Sequence, residues 1–222
     1  MLSQAVQDYI KAIYKLQENG LVSTTELSNH LNISGASVTG MVKKMSAMGI
    51  VEYNSYKGVR LTPAGEKIAL EIIRHHRLLE LYLKEVMGFS LEKVHEEACR
   101  MEHVISTEFA DKLNELLGDP KFDPHGHPIP TKFGTIDESI EKAINDYPEG
   151  TSLIIRSLFD EDPKLLAYLE EINLVPNVIV KILKIEPFYG PIIIQYDNTE
   201  RVIGHEVASC IFVDEVSGSV LM

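Results

Sequence analysis

Residues 23–62 constrain the fold of this chain more than any other stretch. Thr24 to Leu31 is a short helical run, and Ser23 or Thr24 suits its N-cap, where a hydroxyl accepts an otherwise unsatisfied amide proton. Asn32-Ile33-Ser34-Gly35 reads as a tight turn. Ala36 to Met48 then sets Val38, Met41, Val42 and Met45 on one helical face. Gly49 fits the position just past that helix, where a left-handed residue closes the last turn. IVEY and VRL follow as two short strands around Ser55-Tyr56-Lys57-Gly58. In front of all this, AVQDYIKAIYKL spaces Val6, Tyr9, Ile10, Ile13 and Leu16 as one face of a helix that ends at Asn19-Gly20. Helix, helix–turn–helix and β-hairpin in that order predict a winged helix–turn–helix.

The third helix begins with small residues, Ser34, Gly35, Ala36, Ser37, Thr39 and Gly40, which let a helix approach base edges closely. Lys43 and Lys44 follow one turn later, and Lys57 and Arg60 sit on the wing, placed to meet phosphates. The chain as a whole carries a net charge of -12, which by itself argues against a nucleic-acid partner. That charge is uneven. Residues 1–65 hold six basic and four acidic side chains, a net of +2, so the remainder carries -14. A mildly basic head and an acidic body can have different partners.

Thr62-Pro63 opens the next helix, with Thr as N-cap and Pro in the first turn. It runs through GEKIALEIIRHHRLLELYLKEV, long enough to leave the head. Ser90 caps SLEKVHEEACRMEHVI, and Thr107 to Leu117 forms another helix that ends at Gly118. Leu78, Leu79, Leu81, Tyr82, Met101, Val104, Ile105 and Phe109 offer more apolar surface than a helical hairpin buries, so a homodimer is expected, and a palindromic double-stranded DNA operator would match its two-fold symmetry. Residues 119–150 are rich in Pro, Gly and His and read as loop and linker. From about Thr151, SLIIRSL, NVIVKILKI, PIIIQY and CIFVDEV predict strands, interrupted by one helix from Pro163 to Glu171. The expected fold is therefore mainly α with a small C-terminal antiparallel β barrel, divided into domains 1–62, 63–140 and 150–222. No apolar run is long enough for a transmembrane helix, and the N-terminus does not pattern as a signal peptide. The two cysteines, Cys99 and Cys210, are far apart and are expected to be reduced thiols in a cytoplasm.

Six of the eight histidines lie between residues 75 and 127. His76 and Glu80 are four apart on one helix and share a face. His95, Cys99 and His103 repeat every four residues on the next, with Glu102 beside His103. The ends of that stripe are roughly 12 Å apart at 1.5 Å rise per residue, too far for one ion. Two sites are expected, one from His76, Glu80 and His95, the other from Cys99, Glu102 and His103 completed from elsewhere. Mixed N, O and S donors suit Fe²⁺, Mn²⁺, Co²⁺, Ni²⁺ or Zn²⁺ rather than an all-thiolate structural zinc. Glu96, Glu97 and Arg100 are left as solvated face, and His30, His75 and His205 as ordinary packed or surface residues. A metallohydrolase would need a general base and a substrate cleft, and no HExxH motif is present, so neither an enzyme nor a small-molecule substrate is expected. The alternative is a metal-independent winged-helix regulator that answers to an organic effector.

The stretches DYIKAIYKLQENG, SGASVTGMVKKMSAMGIV, GVRLTPAGEKIA, RHHRLLELYL, EKVHEEACRMEHVIS and DPHGHPIP resemble the metal-dependent repressors typified by the diphtheria toxin repressor. That resemblance covers nearly all of residues 1–140, and residues 150–222 look like the family's SH3-like third domain, related to ferrous-transport accessory domains. It implies a homodimer that represses metal-homeostasis genes when loaded with Fe²⁺ or Mn²⁺ at two sites per subunit, with Zn²⁺, Co²⁺ or Ni²⁺ able to substitute in vitro. The ancillary site falls on His76, Glu80 and His95. The primary site falls on Cys99, Glu102 and His103, with Asp8 of the first helix as fourth ligand. Iron-sensing members have methionine at the position of Asp8, and the shortest manganese sensors have glutamate at that of Cys99, so this chain mixes the two patterns. A carboxylate expected at position 11 is Lys11. Asp123 stands where some manganese sensors have a ligand cysteine. Glu161 matches a third-domain ligand of the ancillary site, and Lys164 stands where a glutamine would accompany it. Arg77 matches an anion-binding position beside the ancillary metal.

Overall fold

The computed structural model describes residues 2–17, 20–137 and 142–216. They form two compact units. The first comprises residues 1–76, 100–112 and 130–136, and the second residues 77–99, 113–129 and 137–222.

In the first unit, α1 (Gln4–Leu16) buries Val6, Tyr9, Ile10, Ala12 and Ile13, the face its spacing predicts. Then α2 (Thr24–His30) opens with a capping box in which Ser23 Oγ accepts from Glu26 N and Glu26 Oε2 accepts from Ser23 N. Asn32, at φ 51°, makes the turn. Ser34 caps α3 (Gly35–Ala47), which buries Val38, Val42 and Met45. Gly49, at φ 73°, closes it: Gly49 N–H donates to Ser46 O and Ile50 N–H to Met45 O, the two bonds of a Schellman motif. Strands β1 (Val51–Asn54) and β2 (Gly58–Leu61) pair antiparallel, and Asn54 Oδ1 shapes the turn by accepting from Tyr56 N and Lys57 N. Gly58 has to be glycine: its φ is 118°, and a Cβ there would lie 2.5 Å from Val22 O. One apolar cluster joins α1, α2, α3, the hairpin and Ala69 and Ile72 of α4 (Pro63–Glu85), whose first turn is capped by Thr62 Oγ1 accepting from Gly65 N. The end of α5 (Leu91–Met101) and the start of α6 (Thr107–Leu116) complete this unit.

The second unit is built on an antiparallel sheet ordered β3-β8-β4-β5-β6-β7. Its strands are β3 (Lys142–Ala143), β4 (Ser152–Leu158), β5 (Ile179–Ile185), β6 (Ile192–Tyr196), β7 (Thr199–Ile203) and β8 (Ile211–Glu215). The helices α7 (Pro163–Glu171) and α8 (His205–Ala208) lie between strands in sequence. Branched side chains fill the core, among them Leu153, Ile155, Val180, Ile182, Ile192, Ile194 and Val213. The predicted helix at Pro163 to Glu171 has those limits, with Asp162 as its N-cap. Two strands differ from expectation. The segment read as linker up to residue 150 includes β3, which pairs with β8, and Ile144, which is buried in the core; residues 138–141 of it lie outside the described residues. The other addition is β7, joined to β6 by Asp197-Asn198, both at positive φ (49° and 57°), which makes a two-residue hairpin turn matched to strand twist. No helix of the described residues is long and apolar enough to cross a membrane.

Candidate metal centres and nucleic-acid interface

Each unit gathers its own group of metal-binding side chains. In the first, α1 supplies Asp8, and the turn after α5 supplies Glu102 and His103; one ligand atom from each lies within 4.8 Å of the others. His103 Nε2 is 3.1 Å from Asp8 Oδ1 and 3.3 Å from Glu102 Oε1. On the opposite side of the ring, His103 Nδ1 is 2.9 Å from Gln7 Oε1. An amide oxygen can only accept, so Nδ1 donates to it, and Nε2 is the nitrogen that faces the two carboxylates and would be free to bind a metal that displaces its proton. Nothing in the sequence pattern singles out Gln7, because its role appears only once α1 is docked.

Glu102 has two further partners. Lys11 Nζ donates to Oε1 at 3.0 Å and Oε2 at 2.8 Å, and His76 Nδ1 is 2.5 Å from Oε2. Burial alone would raise the Glu102 pKa, but the His76 and Lys11 contacts outweigh it and hold the carboxyl below its usual range. Asp8 goes the other way: burial, with the Glu102 charge beside it, raises its carboxyl against the pull of His103 and Lys11. His76 thus takes Glu102 as a neighbour within the first unit, whereas Glu80 falls in the second.

In the second unit, Glu80 of α4 meets His95 of α5, whose Nδ1 is 3.1 Å from Oε1. Cys99 Sγ lies 3.6 Å from His95 Nε2. The loop Asp123–His127 brings three more donors together: Asp123, His125 and His127 also place one ligand atom each within 4.8 Å of the others. Asp123 Oδ1 accepts from the backbone N–H groups of His125 and His127 at 2.8 and 3.0 Å and so shapes the loop. Its Oδ2 is left 3.5 Å from His127 Nδ1 and 3.5 Å from Arg77 Nε. His125 Nε2 is 3.3 Å from the Leu91 carbonyl, to which it donates, leaving the Nδ1 lone pair 3.7 Å from Glu80 Oε2. Asp160, just past β4, has Oδ2 3.7 Å from His127 Nδ1.

Among the described residues, Asp123 Oδ2, His125 Nδ1 and His127 Nδ1 are buried without a hydrogen-bond partner. Three converging buried polar atoms without partners are costly, and positive charge among them, a proton or a metal cation, removes the cost. Burial would depress both imidazoles, but Glu80, Asp123 and Asp160 raise His125, and Asp123 and Asp160 raise His127, so the field favours positive charge here. The PHGHP run is the sequence signal for these two histidines; Asp160, next to the predicted Glu161, is the acid that faces them, while Glu161 is exposed. Gly126 seats the loop. Its φ is +93°, and a Cβ would come within 1.8 Å of Arg156 O in the β4 bulge. Leu158 N–H donates to His125 O at 2.9 Å, tying the same loop to β4. Arg77 donates to Pro128 O besides facing Asp123, so it clamps this loop.

The expected DNA face lies on the surface of the first unit. Ser34, Ala36, Ser37, Gly40, Lys43 and Lys44 are exposed on α3, and a Cβ at Gly40 would meet nothing within 4 Å. Thr39 is half-buried, its hydroxyl donating to Gly35 O at 2.9 Å. Lys57 is exposed on the wing, and Arg60 pairs with Glu52 across the hairpin at 2.6 Å. Tyr56 at the wing tip is 98% exposed, an aromatic the charge pattern does not mark. Of the apolar residues expected at a dimer face, Leu78 and Leu79 are fully buried within the chain, whereas Val104 is 80% and Phe109 46% exposed.

Three family models match the chain: an iron-dependent repressor N-terminal DNA-binding domain over residues 1–59, an iron-dependent repressor metal-binding and dimerisation domain over 62–131, and a FeoA domain over 142–215. The diphtheria toxin repressor of Corynebacterium glutamicum is 31% identical, over 98% of this chain and 99% of that protein. The iron-dependent repressor IdeR of Mycobacterium tuberculosis is 29% identical, over 97% of this chain and 99% of that protein. Among solved structures, a manganese-dependent transcriptional repressor in complex with manganese matches with a TM-score of 0.86 at 29% identity, over 95% of this chain and all (100%) of that one. ScaR with bound Cd²⁺ matches with a TM-score of 0.78 at 30% identity, over 95% and 99% of the two chains.

Proposed function

The chain belongs to the diphtheria toxin repressor family of metal-dependent DNA-binding transcriptional repressors, and on that premise we propose how its residues divide the work. The working form is a homodimer on a palindromic operator, controlling metal-homeostasis genes in response to Fe²⁺ or Mn²⁺. Exposed Val104 and Phe109 contribute to the dimer contact. In each copy α3 enters the major groove, and Lys43, Lys44, Lys57 and Arg60 meet phosphates.

The observation that carries this reading is Asp8 meeting Glu102 and His103. Asp8 sits on the helix that packs directly into the winged-helix core, two residues from buried Val6 and next to buried Tyr9. Asp8, Glu102 and His103 are the primary ligands. A divalent ion supplies the charge that lets the two carboxylates share one position. Gln7 holds the His103 tautomer, and Lys11 neutralises the outer side of Glu102. Where the resemblance puts the second site on His76, Glu80 and His95, the clustered ligand atoms of the second unit favour Asp123, His125 and His127, with Glu80, His95 and Asp160 beside them. Carboxylate and imidazole donors suit Mn²⁺ or Fe²⁺, and Zn²⁺, Co²⁺ or Ni²⁺ fit the same set in vitro.

An electrophoretic shift with a palindromic operator tests this. Binding should require Mn²⁺ or Fe²⁺ and be lost in chelator. Asp8→Ala should abolish the metal response, while Asp123→Ala should weaken it less. Equal binding with and without metal overturns the proposal, and equal loss from both variants overturns the ranking of the two sites.

A further inference from the structure

The first unit also holds a cavity of about 260 Å³ between the first half of α4, the start of α6 and the turn at residues 131–134. Arg74 and His75, 6% and 7% exposed, form its floor, and exposed Lys67 and Lys132 stand at its rim. Among the described residues, Arg74 Nη1 and His75 Nε2 are buried without a hydrogen-bond partner. A buried guanidinium N–H with no acceptor is costly. The two acids of the lining and the Thr107 hydroxyl are engaged. Arg74 Nη2 donates to Asp111 Oδ1 at 3.0 Å, and Thr107 Oγ1 donates to Glu71 Oε1 at 2.7 Å. The His75 ring bonds to the backbone of Glu102, and since Nε2 has no partner that bond uses Nδ1. A neutral imidazole with its proton on Nδ1 presents a lone pair at Nε2. The floor therefore pairs an unused cationic donor with an unused acceptor, and three cations (Lys67, Arg74, Lys132) face two acids already in hydrogen bonds (Glu71, Asp111).

We infer that this cavity binds a phosphate group that carries a proton, either inorganic phosphate or a phosphomonoester. Its anionic oxygens accept from Arg74 Nη1 and the rim ammoniums, and its O–H donates to His75 Nε2. Sulfate has no proton to donate at neutral pH, and neither does the phosphodiester backbone of DNA. The occupant is thus distinct from the operator and from the divalent metal. It would join α4 to α6 within the first unit.

The test uses the full-length protein, metal-free, in metal-depleted buffer at fixed ionic strength, because phosphate complexes metals and chelators are themselves anions. Calorimetric titration with inorganic phosphate, glycerol 3-phosphate and sulfate should show saturable 1:1 binding of at least one phosphate, about tenfold or more tighter than sulfate. The tighter of the two phosphates identifies the source. The double variant Lys67→Gln/Lys132→Gln changes only exposed groups and should weaken binding about tenfold with the fold intact. Arg74→Gln should abolish it, and the ¹⁵N signal of His75 Nε2 should move on titration of the native protein. Absence of saturable binding, sulfate bound as tightly as phosphate, or unchanged affinity in the rim variant overturns the inference.

Discussion

Lys11 Nζ lies 2.8 Å from Glu102 Oε2 and 3.0 Å from Oε1, so α1 places an ammonium on both oxygens of a carboxylate whose side chain is 2% exposed. In this protein a tethered cation occupies one side of the primary metal ligand. A divalent ion binding at Asp8, Glu102 and His103 meets that charge at short range. Lys11→Met should therefore raise metal affinity at this centre by about tenfold or more, since like charges a few ångströms apart at low effective dielectric cost more than 1 kcal/mol. Lys11→Glu should go further and let this centre hold a second ion. Calorimetry and elemental analysis of dialysed protein read both. An unchanged affinity in Lys11→Met would show that the ammonium does not oppose the metal.

Gln7 acts on the same centre through His103. Gln7→Leu removes the acceptor that keeps the proton on Nδ1, 2.9 Å away, and frees the ring to rotate or change tautomer. Metal affinity should fall about tenfold to a hundredfold, the usual range for losing the group that orients a ligand. Thermal stability without metal should change little, because α1 is held by its buried face.

Gly126 holds the histidine loop of the second unit against β4. Gly126→Ala must fit a Cβ 1.8 Å from Arg156 O at φ +93°, so either the bulge or the loop shifts. We expect a loss of about 3 kcal/mol or more in urea unfolding and a loss of metal at Asp123 and His125, with the Asp8 centre retained. Metal stoichiometry in the variant separates the two centres.

Glu170 predicts a pH dependence in the second unit, where the His125 imidazole is among the charges acting on it. It bonds Lys84 Nζ through Oε1 and accepts the Leu91 N–H at 2.9 Å through Oε2. Burial raises its carboxyl, but Lys84 and the Leu91 amide outweigh that and hold it below the usual glutamate range. A depressed folded-state pKa gives stability that is complete above the unfolded value, near pH 4.3, and is lost as pH falls through the folded value. Glu170→Gln should cost about 1 kcal/mol at pH 7 and progressively less below pH 4. Urea midpoints of both proteins across pH 3 to 7 should converge at the acid end.

Much of the fold is legible locally. Ser23, Ser34, Thr62 and Gly49 mark helix ends because capping is settled within a few residues of chain. The branched runs of β4, β5, β6 and β8 declare themselves by composition. Strand β7, TERVI, buries only Ile203 and carries almost no pattern; its place is set by pairing with β6. Strand β3 is two residues long and exists through its bonds to β8.

The sequence by itself determined the winged helix–turn–helix, the sheet-forming third segment, the family and the region that holds metal donors. Periodicity reports which residues share a face of one helix, so it could bring His76 beside Glu80 and His95 beside Cys99. Beyond the meeting of Asp8 with Glu102 and His103 that the resemblance implies, only the tertiary structure decided which groups meet across elements: Lys11 and His76 with Glu102, Gln7 with His103, and Asp123 with His125 and His127 near Asp160. Those meetings depend on how helices and loops far apart in the chain pack, through Val6, Ile10 and Ile13 under α1 and Gly126 against β4, and no local spacing encodes that packing.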